Sequence, residues 1–139
     1  MATKKIGIVA IVARACAVIT ATTAVALVTP PTAEASTRYA AVAWSASSDW
    51  TWAYNYKSQT DLILGLQDRG WSNYQVISSG QCASLVRYRG ESGVTPFSGH
   101  VSGVAKNRDA ATNKALRAAN SRVVGLGGST RVLTSWCQD

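Results

Sequence analysis

The sequence predicts an α+β domain: a mainly antiparallel sheet with two helices packed on one face, laid out as a faint two-fold repeat of strand, helix and strand. Three observations predict it. Residues 39–56 read as two extended runs joined by a polar turn. Two capped segments, 58–69 and 107–120, have the composition of helices and each leads into a β-branched run. The two halves also match at Leu66 and Leu116, and at Val76-Ile77-Ser78-Ser79 and Val132-Leu133-Thr134-Ser135.

The chain has 139 residues and a formal charge of +7, which fits one small domain behind a targeting segment. Lys4 and Lys5 open it, an apolar run follows from Ile6 to Val28, and Pro30, Pro31 and Ala33-Glu34-Ala35 come next. A positive start, an apolar middle and an A-x-A end describe a secretory signal peptide cleaved after Ala35, leaving a single domain over residues 36–139. A retained membrane anchor is the rival reading, because the apolar run is long enough to span. Arg14 within it, the prolines and the small-residue cleavage site favour removal, so no membrane span is expected afterwards. A lipid-modified Cys16 is set aside, because Arg14 stands where such a site needs a small or aliphatic residue.

Cleavage takes Lys4, Lys5, Arg14 and Glu34 from the 14 basic and 7 acidic residues, leaving 11 against 6 and a charge near +5. That balance favours anionic surfaces. Two cysteines remain, Cys82 and Cys137. In an oxidising compartment an even pair reads as a disulfide. It would close a loop of about 55 residues, for which loop-closure entropy gives roughly 4 kcal/mol. Two free buried thiols are the alternative.

Taken in order, Ala40–Ser45 reads as a strand and Ala46–Asp49 as a turn with local side-chain acceptors. Trp50–Tyr56 alternates strictly, so Trp50, Trp52, Tyr54 and Tyr56 should share one face and Thr51, Ala53 and Asn55 the other. Ser58 caps a first helix that carries Asp61 in its first turn and ends at Arg69-Gly70. Strands are expected over Tyr74–Ser78 and Cys82–Arg89, then a glycine-rich loop from Arg89 to Gly99 containing Pro96, then a short strand from His100 to Ala105. Asn107 caps the second helix, whose Ala111, Ala115, Leu116, Ala118 and Ala119 form a smooth apolar stripe. Gly125–Gly128 reads as a connector and Arg131–Cys137 as the closing strand.

These residues resemble the domain of unknown function 4189 family of small secreted bacterial domains. The resemblance rests on the hairpin (Ala40, Val42-Ala43, Trp50 and Tyr54-Asn55-Tyr56-Lys57-Ser58), on Gly80-Gln81-Cys82-Ala83-Ser84-Leu85, on Ala111 with Ala115-Leu116, and on Trp136-Cys137. It spans residues 39–137 and implies a secreted α+β domain of two helix-strand units with no established activity. The family's further cysteines at helix ends are absent here, where Arg69-Gly70 and Asn120 stand. The surviving pair makes a Cys82–Cys137 disulfide the expectation that the resemblance supports. It supplies no catalytic residue.

An inventory of chemistry points away from catalysis. His100 is the only histidine, with Ser98 and Ser102 close by and Asp109 further on, but no nucleophile-elbow signature accompanies them. Of the carboxylates, only Asp49, Asp68 and Glu91 are not taken by helix starts or the chain end, and nothing pairs them as glycoside hydrolysis requires. One histidine and two distant cysteines make no tetrahedral metal set, and Gly125–Gly128 lacks the lysine of a phosphate loop. No cofactor is expected, and neither is nucleic acid. What remains is a mixture of cations and π-faces, Arg87-Tyr88-Arg89 with Trp50, Trp52 and Tyr54, which suits an anionic polymer or a sugar. The expected function is a secreted, non-enzymatic domain that binds a cell-envelope component, such as an anionic cell-wall polymer, or another protein. A small secreted hydrolase is the alternative. Whether the aromatic face of the hairpin is core or surface decides how much of this mixture is available.

Overall fold

The computed structural model describes residues 36–139; the expected signal peptide lies outside the described residues. Six strands and two helices follow in the order β1 (Tyr39–Trp44), β2 (Trp50–Tyr56), α1 (Gln59–Asp68), β3 (Asn73–Ser78), β4 (Gln81–Ser92), β5 (Thr95–Ala105), α2 (Arg108–Val123) and β6 (Ser129–Gln138). The α+β class stands, with antiparallel pairing throughout, but the strands form two three-stranded sheets, ordered β2-β1-β3 and β5-β4-β6. Both halves take the same course. A hairpin is followed by a helix that returns the chain to the far side of the first strand, a split β-α-β arrangement.

Local chemistry sets the helix ends where expected. The Ser58 hydroxyl accepts from the Asp61 amide at 3.4 Å, and Asn107 Oδ1 from the Ala110 amide at 2.8 Å. Gly70 follows α1 with φ 84°, a left-handed turn that glycine takes without steric cost. Leu62 and Leu66 of α1 are buried against Ala41, Ala43 and Ala53. In α2 the buried residues are Ala111, Ala115, Ala119 and Val123, one per turn.

Strand alternation then fixes the layers. In β1, Tyr39, Ala41 and Ala43 face α1, while Ala40 and Val42 point the other way and pack with Ala83 and Leu85 of β4. The two sheets therefore lie face to face, with α1 outside one and α2 outside the other. Trp52 Nε1 donates to Thr134 Oγ1 at 3.0 Å, Ser102 to Gln75 at 3.1 Å, and the Trp52 and Trp136 rings meet at 5.5 Å, all between the sheets.

Two expectations are corrected. The alternation of β2 breaks at Asn55, whose φ is 64°; the register slips there, and Tyr56 turns with Tyr39 onto the α1 side. The segment 89–99 is not a loop: β4 and β5 continue through it and meet at a two-residue turn, Gly93-Val94, where Gly93 has φ 66°. Pro96 is tolerated because β5 is an edge strand. Gly90 and Gly99 read as loop residues, but they are glycines because the rings of Phe97 and Tyr88 lie over them.

Cys82 and Cys137 are directly opposed on β4 and β6 and form a disulfide. Gly103 lies beneath α2 so closely that a Cβ would run into the Ala111 carbonyl oxygen and the Ala115 amide nitrogen. Gly103→Ala should therefore lower stability by about 1–3 kcal/mol, the usual cost of overpacking. Denaturant titration reads this directly, and an unchanged midpoint would contradict the close approach.

Candidate functional site

The two sheets differ in length. The strands of the first have 6 or 7 residues, whereas β4 and β5 have 12 and 11. The inner face of the longer sheet can be read in cross-strand rows. Val104–Ala83–Trp136 and Ser102–Leu85–Thr134 lie under the first sheet. Beyond them come His100–Arg87–Arg131, Ser98–Arg89–Ser129, and Pro96 with Glu91. No residue of the first sheet lines the hollows that follow, so the end of the longer sheet overhangs the shorter one, with Arg89, Glu91 and Ser92 exposed.

The overhang holds an open hollow of about 530 Å3, lined by Arg87, Arg89, Glu91, Phe97, Ser98 and Ser129 among others. A smaller one of about 170 Å3 adjoins it, where Arg131 and Leu133 join the two arginines. A bulge at Leu133 helps to shape this wall. Leu85 pairs with Thr134 and Val86 with Val132, so Leu133 is the extra residue and packs at the border of the inter-sheet core.

Electrostatically the two hollows are mainly cationic. Arg87 and Arg89 line the larger one with the carboxylate of Glu91, and Arg87, Arg89 and Arg131 line the smaller one. Arg87 Nε and His100 Nε2 are both buried without a hydrogen-bond partner. Partial burial holds the His100 imidazole below its ordinary pKa of about 6.5, and the Arg87 guanidinium opposite adds to the effect.

The residues expected to form one binding surface are divided. Arg87 and Arg89 share the hollow. Tyr88 points through the sheet to the opposite face, where it covers Gly99 and meets the Phe97 ring at 6.3 Å. Trp52 is half-buried between the sheets, and Tyr54 lies against Trp136 at 5.9 Å with 59% of its surface exposed. Trp50 is 41% exposed near the hairpin turn. The aromatic row is thus neither beneath α1 nor free; it edges the inter-sheet core. Sequence reasoning missed Arg131 and Ser129, and weighed Ser98 and His100 only for a triad. Two-residue alternation separates Arg87 and Arg89 from Tyr88, but nothing local joins them to Arg131, 44 residues from Arg87.

The residues of the triad inventory do not converge. Ser98, His100 and Ser102 lie on the inner face, whereas Asp109 is in the first turn of α2, which covers the outer face. Asp49 belongs to the hairpin turn, where Ser47 donates to it at 3.2 Å, and Asp68 ends α1. Among the described residues no group of three His, Cys, Asp or Glu is placed to hold a metal ion, and no helix is long and apolar enough to cross a membrane. No known family, curated protein or solved structure matches the chain.

Because folding favours the neutral form of His100, its contribution to stability is complete above pH 6.5 and is lost as pH falls through the lowered folded value. Stability should therefore fall as pH drops below about 6.5, in a window above the carboxylate range. Denaturation midpoints across that window should decline less for His100→Gln than for the parent. Equal slopes would remove His100 as the cause.

Proposed function

We propose that the chain is a secreted, non-enzymatic binding domain that takes an anionic component of the cell envelope, such as a cell-wall polymer, into the hollow of its longer sheet. The observation that carries this reading is the uncovered inner face, with three arginines against one glutamate beside a sealed apolar core. Guanidinium groups carry donors and no acceptors, so a face of this kind is complementary to oxyanions. The serine hydroxyls of Ser98 and Ser129 and the width of the hollow leave room for the polar body of such a polymer. Secretion is supported by the leader-like start of the sequence and agrees with the disulfide.

The secreted protein should begin at Ser36, which N-terminal sequencing of material from the medium would show. A different first residue would move the cleavage site. Incubated with purified anionic wall polymer at low salt, the protein should leave solution with the pellet. It should return at about 1 M salt, where the screening length is about 3 Å. The double variant Arg89→Ala, Arg131→Ala should bind about tenfold more weakly, a loss of about 1.4 kcal/mol. No depletion at low salt, or depletion that the double variant leaves unchanged, would refute the assignment.

A further inference from the structure

Resting on that binding reading, we infer that the row His100–Arg87–Arg131 is a subsite for a dianionic tetrahedral oxyanion, the phosphate ester of a larger anionic molecule. The three residues are direct cross-strand partners on β5, β4 and β6, so their side chains stand abreast on one face. The central guanidinium is flanked by an imidazole on one side and a second guanidinium on the other. Two buried polar atoms of this row, Arg87 Nε and His100 Nε2, have no partner within the protein. An oxygen-rich group seated there would accept from the Arg87 Nε–H and, with the imidazole protonated, from His100 Nε2 as well.

Charge and size select the ligand. Arg87, Arg89 and Arg131 against Glu91 leave two positive charges in excess across the adjoining hollows. One carboxylate or one phosphodiester would neutralise half of that, whereas a phosphate monoester carries close to two negative charges near neutral pH. Its terminal oxygens also diverge, so they can meet donors from neighbouring strands at once, which the two coplanar oxygens of a carboxylate do less well. Arg87 and Arg131 line the smaller hollow of about 170 Å3, and the adjoining one of about 530 Å3, which Arg87 also lines, leaves space for the body that bears the phosphoryl group.

Occupancy must register on His100. An anion beside the imidazole favours its charged form and opposes the desolvation and the Arg87 field that now disfavour it. The charged groups that face it are Arg87 alongside, Arg131 beyond it, and Arg89 and Glu91 in the next rows; from the first sheet, β3 presents only uncharged residues. Binding and His100 protonation are therefore coupled, and each strengthens the other.

Because His100 is the only histidine, its ring resonances are an unambiguous probe. The secreted protein is titrated with glycerol phosphate, inorganic phosphate, sulfate and acetate at fixed ionic strength. Glycerol phosphate should shift the ring signals saturably and raise the His100 midpoint by roughly one unit. Acetate should bind at least about tenfold more weakly, as should glycerol phosphate to Arg131→Ala, with the thermal midpoint of that variant unchanged. Sulfate, which stays dianionic throughout, should bind more tightly at pH 5.5 than at 7.5 (a pH range that isolates the imidazole). Unmoved ring signals, acetate as effective as glycerol phosphate, or inorganic phosphate binding without its ester would each overturn the subsite. If the wall polymer still pellets the protein in that case, the subsite fails and the binding reading stands; if the polymer also stays unbound, both fail.

Discussion

The structure depends on the packing of two short sheets against each other. Each has only three strands and one helix, and a helix covers one face of a sheet. The remaining apolar face of each must be removed from water, and the other sheet is what covers it. The residues at that contact are Ala40, Val42, Ile77, Ala83 and Leu85, rimmed by Trp44, Trp52 and Trp136. Small residues at the centre let the sheets approach, and the large rings close the edges. Burial of such side chains contributes about 1.5–3 kcal/mol for each large aliphatic one, so even this modest core is decisive for a domain of this size.

Unequal strand length then turns a packing solution into a site. Where the first sheet stops, the inner face of the second changes within one row from Leu85 to Arg87. The outer face of the same overhang is treated differently. Beyond α2 it is covered by its own rings, Tyr88 over Gly99 and Phe97 over Gly90. An aromatic ring over a cross-strand glycine shields the backbone without help from another element, and it stiffens strands that would otherwise fray. The overhang is therefore finished on its outer side and left polar, cationic and concave on its inner side.

Much of the fold was legible because its signals are local. Ser58 and Asn107 announce their helices through a side chain that bonds the next turn, and Gly70 ends one through its own φ. The division into two sheets was not legible, since no local rule forbids either hairpin from pairing with the other. The segment 89–99 misled for a different reason: glycine marks both turns and ring-covered strands, and only the partner ring tells them apart. The site suffered most. Arg87 and Arg89 stand out, but Tyr88 between them has to be assigned to the opposite face, and Arg131 joins them only through pairing between β4 and β6.

The placement of His100 shows why the inner face is more than a solvated strand end. A surface histidine on a polar overhang would ordinarily turn its nitrogens to water. Here one nitrogen is buried beside a guanidinium whose own Nε is also buried, and neither bonds to the protein. Unpaired buried polar atoms cost about 1–3 kcal/mol each, and well-folded domains keep few of them. Hydrophobic packing does not explain the pair, because the row lies beyond the inter-sheet core. The proposed subsite would account for it by preorganisation: the desolvation is incurred on folding, so an oxyanion would meet donors already stripped of competing partners. On that view the His100–Arg87 pair is retained at some expense to stability because it makes the adjoining cationic face selective rather than merely attractive.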